Sequence, residues 1–254
     1  MEEIYKVLQH YDTISLEGMK SVKLMNRIDT KYVIAKKQLG EILRLSSERY
    51  YVQTDNQGNR IARYHTVYLD TDAKQMYIHH ETCRKTRCKI RVRTYADSNE
   101  SFLEVKKKNN HGRTAKKRIP VVSSLTDVLK RQDVNEFISS QTSYNTASLS
   151  PHVETHFQRI TLVNKEKTER LTIDVNLSFR NVQNGRTEML DNIAIIELKR
   201  EGRSTSFMKQ LLLELHVREC GFSKYCIGTA ITDPTTRQNN FKERIKKIRK
   251  LNIV

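Results

Sequence analysis

The sequence predicts an α+β fold in which about eight antiparallel strands close into a barrel with helices around it. Three observations carry this expectation. Eight runs rich in β-branched and aromatic residues occur at 24–34, 61–70, 85–95, 101–108, 114–122, 153–163, 170–179 and 192–199. Several are joined by short polar turns, "ADSNE", "NNHGR" and "NKEKTE", which suit antiparallel hairpins better than βαβ crossovers. In five of the runs, apolar residues fill one face and charged residues the other.

Taken in order, helical periodicity opens the chain at 2–10. It returns at 36–48 ("KKQLGEILRLSSE"), 125–140, 205–220 and 235–251. Between these segments the alternation is explicit. In "RCKIRVRTY" Arg87, Lys89, Arg91 and Arg93 share a face opposite Cys88, Ile90, Val92 and Thr94. "FLEVKKK" sets Glu104, Lys106 and Lys108 against Leu103 and Val105, and "TAKKRIPV" sets Lys116 and Arg118 against Ala115, Ile119 and Val121. "RLTIDVNLSF" opposes Arg170, Thr172, Asp174 and Asn176 to Leu171, Ile173, Val175, Leu177 and Phe179, and "IIELKR" opposes Glu197 and Lys199 to Ile196 and Leu198.

Composition narrows the partners. Lys and Arg number 46 against 29 Asp and Glu, a formal net charge of +17, which points to polyanions: nucleic acid, phosphate chains or an anionic membrane surface. The four cysteines match no zinc or redox spacing and read as reduced thiols of a cytoplasmic protein. The acidic start "MEEIYKVLQHY" is no signal peptide, and no apolar run approaches the roughly 18 residues of a membrane span. With three prolines and no linker-like tract, one domain over 1–254 is expected, its core at about 24–231 and a basic helix at 235–251.

An ordinary sheet with its polar face in water would account for any one of these strands. Five together, mostly cationic, favour a barrel whose charged faces line the inside, because solvent faces normally mix charge signs. A closed barrel of about eight strands has room for one narrow ligand, and crowded cations on its wall call for a polyanion. Carboxylates on that wall could hold Mg2+ or Mn2+ together with substrate phosphates. For Glu104 and Asp174 an ion pair with a neighbouring cation is the favoured reading; for Glu197 both readings stay open. There is no G-x-x-x-x-G-K-[ST] loop and no G-x-G-x-x-G. "HHE" at 79–81 lacks metalloprotease spacing and reads as a pair of solvated helix histidines.

The landmarks "NRIDTKYVI", "YHTVYLDT", "KIRVRTY", "FLEVKKK" with "GRTAKKRIPV", "HFQRITL", "RLTIDVNLSF", "IIELKR" and "FSKYCIG", in this order, resemble those of VTC domains, polyphosphate polymerase modules of the triphosphate tunnel, CYTH-like superfamily. The resemblance implies a tunnel fold that moves the γ-phosphate of ATP onto a growing polyphosphate chain with Mn2+ or Mg2+. It implies phosphate-handling roles for Lys31, Arg91, Arg93, Lys106, Lys116, Arg159, Arg170 and Lys224, with Lys199 a further candidate and Glu197 as metal ligand. Alternation adds Arg118 to the substrate-binding set and chooses Lys116 over Lys117. ATP and inorganic polyphosphate are the expected partners, nucleic acid is not, and any peripheral attachment to a membrane would run through a partner protein.

On this reading, transfer needs no protein nucleophile or general base, so positioning and charge stabilisation suffice, with Arg91, Arg93, Arg159 and Lys224 closest to the chemistry. The nearest rival is a CYTH-type tunnel triphosphatase using water. The resemblance associates that activity with an E-x-E-x-K first strand, and "RIDTK" has Arg27 and Asp29 where the glutamates would stand. A non-catalytic polyanion binder is the third reading, disfavoured by the absence of Trp and by the aliphatic partners of the basic strands. Alanine at Arg91 or Arg93 is expected to weaken polyphosphate binding with little loss of stability, because an unpaired cation cluster would be relieved.

Overall fold

A computed structural model describes residues 1–22, 27–122, 125–202 and 205–253. Strands form where β-branched and aromatic residues alternate with polar ones, and helices where leucines and isoleucines recur at three- and four-residue intervals. In chain order the elements are α1 (Glu2–Leu8), β1 (Asp12–Ser15), α2 (Leu16–Met19), β2 (Arg27–Ala35), α3 (Leu39–Ser46), β3 (Tyr50–Thr54), β4 (Ala62–Asp70), α4 (Gln75–Glu81), β5 (Arg87–Tyr95), β6 (Glu100–Lys108) and β7 (Thr114–Val121). There follow α5 (Leu125–Lys130), α6 (Gln132–Gln141), β8 (Ser150–Asn164), β9 (Glu169–Asn181), β10 (Thr187–Leu190), β11 (Ile193–Glu201), α7 (Phe207–Glu214), α8 (Lys224–Thr232) and α9 (Lys242–Asn252). No helix among the described residues is long and apolar enough to cross a membrane.

The strands make one 11-stranded sheet with the path β2-β11-β9-β8-β4-β5-β6-β7; β10 adds to β9, β3 to β8, and β1 runs parallel to β3. Every ladder on the main path is antiparallel. The expected closure does not appear: β2 and β7 end the path, with no ladder between them among the described residues. The free edge of β2 is taken instead by the segment leading into α8, through a bridge between Tyr32 and Glu219 and a bond donated by the Cys220 N–H to the Lys31 carbonyl at 2.7 Å. On β7 the run Lys116, Lys117 and Arg118 is exposed, a charged edge of the kind that resists further pairing.

The face turned away from the charged residues is apolar and covered. Leu162, Leu171, Ile173, Ile196 and Leu198 pack with Ile4 and Leu8 of α1, Ile42 and Leu43 of α3 and Met208 and Leu212 of α7. Ile90, Leu103 and Val105 belong to a second cluster with Val128 of α5 and Val134 and Ile138 of α6. The charged face is concave, and α8 fills one end of it. There Val33, Tyr68, Val153, Phe179 and Ile195 share a core with Tyr225, Ile227 and Ala230. Helix and sheet approach so closely that a Cβ at Gly228 would stand 2.5 Å from the Phe179 ring and 3.1 Å from Val153. The α8 N-cap is Ser223, whose hydroxyl accepts from the Cys226 N–H at 3.1 Å.

Several expectations shift at their edges. Residues 24–26 of the first expected strand lie outside the described ones. The expected helix at 125–140 breaks at Arg131, which is extended (φ −73°, ψ 134°). The basic helix begins late, at Lys242, with Phe241, Ile245 and Ile248 buried. His80, expected to be solvated, is partly withdrawn from water, and burial followed by Lys89 and Arg87 holds it down to about 2. Strands β1, β3 and β10 and helix α8 are absent from the sequence reading.

Candidate active site on the concave face

Side chains directly opposite one another on an antiparallel ladder point to the same side, so the register assigns faces without ambiguity. Lys31 opposes Glu197, which opposes Thr172; Asp29 opposes Lys199, which opposes Arg170; and Arg159 opposes Asp174. Across the other strands Lys89, Lys106 and Lys116 are aligned, as are Arg91, Glu104 and Arg118. Arg93 opposes Thr66. Lys117 opposes Val105, whose side is the packed one, which leaves Lys116 on the charged face. Lys224 reaches the same surface from the first residue of α8 and pairs with Asp174. The sheet curls enough that Lys31 at its β2 edge acts electrostatically on Lys89 and Lys106 of β5 and β6.

Two nearly inaccessible carboxylates organise part of this surface. Glu104, 1% exposed, receives Arg91 at 2.6 Å, a close contact from Lys116, and Arg93 at 4.0 Å. Asp174 accepts both Nε and Nη2 of Arg159, at 2.6 and 2.9 Å, and a close contact from Lys224. Burial alone would raise both acids. For Glu104 the guanidinium groups of Arg91 and Arg93 and the Lys116 ammonium outweigh it and bring the carboxyl to about 2. Arg159 and Lys224 likewise hold Asp174 well below the usual carboxylate range. These are the ion pairs expected for both residues.

Aromatic rings fix the guanidinium groups from beneath. Arg93 and Arg159 lie 5.5 and 5.1 Å from the centre of Tyr64, Arg91 lies 5.9 Å from Tyr68, and Lys224 lies 4.2 Å from Phe157. Arg118 sits 4.3 Å over Phe102. Tyr64, Tyr68 and Phe157 escape sequence reasoning because an aromatic residue in a strand reads as core. Lys89, on the basic face of "RCKIRVRTY" and outside the expected site set, donates to Ser223 at 2.8 Å.

The remaining cations are less well compensated. The Lys31 ammonium donates to the Phe222 carbonyl at 2.8 Å, whereas the Lys106 ammonium has no hydrogen bond or ion pair among the described residues. Lys89, Lys106, Lys199 and Lys224 are each depressed to about 8, by burial first and by neighbouring cations in every case. Burial, then Arg91 and Arg159, lowers Arg93 to about 10. Burial, Arg27 and Arg159 lower Arg170.

Glu197 is the acid on this face best placed for a divalent ion. Glu104 and Asp174 are engaged as above, and Asp29 meets Arg27 at 3.1 Å. Among the described residues Glu197 has only Lys199, at 3.7 Å, as an ion-pair partner, yet Lys31 and Lys199 overcome its burial and bring it to about 2, so it is a carboxylate at neutral pH. One carboxylate joined by substrate phosphates and water fits Mg2+ or Mn2+, hard ions that retain several waters.

A family model described as the VTC domain matches residues 26–232. The chain belongs to the VTC domain family. Among solved structures, this VTC domain is similar to HpAC1 of Hippeastrum, named for a dominant triphosphatase activity, with 13% identity over 82% of this chain and 97% of that one and a TM-score of 0.51. It is more distantly similar to a Vibrio parahaemolyticus protein described as an adenylate cyclase candidate (10% identity, 80% and 97% covered, TM-score 0.46) and to PH1819 of Pyrococcus horikoshii (13%, 78% and 95%, TM-score 0.43). No curated protein sequence matches it. Family model and solved structure thus agree on the fold: this VTC domain shares its architecture with HpAC1.

Proposed function

We propose that this VTC domain is an ATP-dependent polyphosphate polymerase. The observation that carries the reading is a concave wall crowded with partly compensated cations, where the Lys106 ammonium has no hydrogen bond or ion pair among the described residues and four lysines are depressed to about 8. Such a wall binds a chain of phosphates more readily than a single compact group. The terminal oxygen of an acceptor phosphate attacks the γ-phosphorus of ATP, a new P–O–P bond forms, the bond from the γ-phosphorus to the bridging oxygen breaks, and ADP leaves with the electron pair. The acceptor oxygen is already ionised, so no base is required.

Arg91 and Arg159, held by Glu104 and Asp174 and seated on Tyr68 and Tyr64, are oriented before substrate arrives. With Arg93 and Lys224 they spread the developing charge. Lys31, Lys106, Lys116, Arg118, Arg170 and Lys199 hold donor and growing chain. When bound at Glu197, Mg2+ or Mn2+ supplies positive charge to the phosphates being joined.

Triphosphate hydrolysis is the second reading, supported by the fold shared with HpAC1. Against it, β2 offers Arg27 paired with Asp29 instead of two metal-binding glutamates. Incubating purified protein with ATP and Mn2+ or Mg2+ decides between them: long-chain, acid-labile product with ADP supports polymerisation, whereas ADP with orthophosphate alone supports hydrolysis.

A further inference from the structure

On the convex side of the β4–β8 ladder, His65 lies directly opposite His156, their rings stacked at 4.3 Å and 9°. Their strand neighbours Tyr64, Thr66, Thr155 and Phe157 point to the concave side, so these histidines are separated from the polymerase site by the thickness of the sheet. Glu154, two residues before His156, shares its face. One ligand atom from each of the three side chains lies within 4.8 Å of the others, and among the described residues this is the group of three that could share an ion.

We propose that His65, His156 and Glu154 form a binding site for a transition-metal ion of the Zn2+ class, distinct from the Mg2+ or Mn2+ position at Glu197. Two imidazoles and one carboxylate are the donor set of Zn2+, Co2+ or Ni2+, whereas hard ions prefer oxygen alone. A three-residue set on a rigid ladder leaves one position of a tetrahedral ion for water. His65 Nε2 is buried without a hydrogen-bond partner, a state that ligation relieves. Ligand atoms around such an ion stand about 3.3 Å apart, so the set must contract, and its members are free to do so. His156 is exposed, and the bond of Glu154 to Arg180, at 3.3 Å with a largely exposed guanidinium, is a weak competitor. A bound ion would staple β4 to β8, strands that carry Tyr64 and Arg159 on the other face.

The test is calorimetric titration of chelator-treated protein with Zn2+, comparing wild type with His156→Ala, Glu154→Gln and Glu197→Gln. Wild type and Glu197→Gln are expected to show the same tightest event at one ion per chain. His156→Ala should weaken that event about tenfold or more, because losing a direct ligand costs at least what losing an outer-shell partner does. Glu154→Gln should weaken it as well. Paramagnetic Ni2+ should broaden the ring resonances of His65 and His156 first. Absence of Zn2+ binding, or binding equally tight in wild type and His156→Ala, overturns the proposal.

Discussion

The two ends of the concave face are built by the same strands and finish differently. At one end Val33, Val153, Phe179 and Ile195 are sealed beneath α8. Beyond it Lys89 opposes Lys106 with Lys31 acting on both, and Lys199 lies against Glu197 with Arg159 and Arg170 acting on it, so cations crowd this part of the face with few carboxylates among them. The apolar end gains stability from what covers it. The cationic end carries electrostatic cost in the free protein, relieved locally by Glu104 and Asp174, and that cost is the property a phosphate chain would exploit. Burial alone therefore does not mark the functional end; the shortage of counter-charge does.

The comparison is tested most severely at Asp174. Replacing it by Asn leaves Arg159 and Lys224 buried without their partner, and a loss of about 3 to 5 kcal/mol is expected in chemical denaturation. A variant as stable as wild type would mean that the cationic end tolerates its own repulsion. Glu197→Gln addresses function instead. Turnover should fall by about a hundred- to a thousandfold with the fold retained, as for loss of one preorganised charge in other sites. Unchanged turnover removes Glu197 from the metal position.

At the sealed end, Gly228→Ala drives a methyl group into the Phe179 ring, and overpacking of this kind costs about 1 to 3 kcal/mol. Activity per folded molecule should survive. A smaller contrast separates two arginines that the sequence treats alike. Arg91 is bonded to Glu104 at 2.6 Å, so Arg91→Ala exposes a buried carboxylate to weaker compensation and costs about 1 to 3 kcal/mol. Arg93 stands 4.0 Å from the same acid, and Arg93→Ala should cost less in the same denaturation experiment while weakening polyphosphate binding as much. The unpaired cluster behind the expectation of little stability loss is thus corrected at Arg91, which Glu104 pairs. Equal losses would dissolve the distinction.

Most of the main-path strands were legible because alternation over eight or nine residues leaves little freedom as to face, and the same alternation put Lys116 and Arg118 together on the charged side. What stayed illegible depends on contacts distant in sequence. Helix α8 is buried on all sides from Tyr225 to Thr232, so it shows no amphipathic stripe. Strands β1, β3 and β10 are four or five residues long, too short for a periodic signal. Barrel closure is not seen among the described residues, and alternation could not decide it, because it fixes which face is charged and says nothing about which edge the chain entering α8 will occupy. The pairing of Asp174 with Lys224, 50 positions away, required the fold.

The smallest effect expected is a pH dependence, and its two halves have opposite signs. Lys89, Lys106, Lys199 and Lys224 sit at about 8 in the folded, ligand-free protein, against an ordinary value of 10.5. Between these limits the unfolded chain holds more protons than the folded one, so fold stability rises with pH across that window; below about 8 the full cost of holding the charged lysines is present. A bound phosphate chain favours the ammonium forms and restores the protons. The complex then holds more protons than the free protein, and polyphosphate affinity falls as pH rises through about 8. Calorimetry at pH 8.5 in buffers of different ionisation enthalpy should report net proton uptake on binding, and Lys106→Met should reduce it. Proton release, or heats independent of the buffer, would show that these lysines are already fully charged in the free protein and that the two ends of the concave face differ less than their geometry indicates.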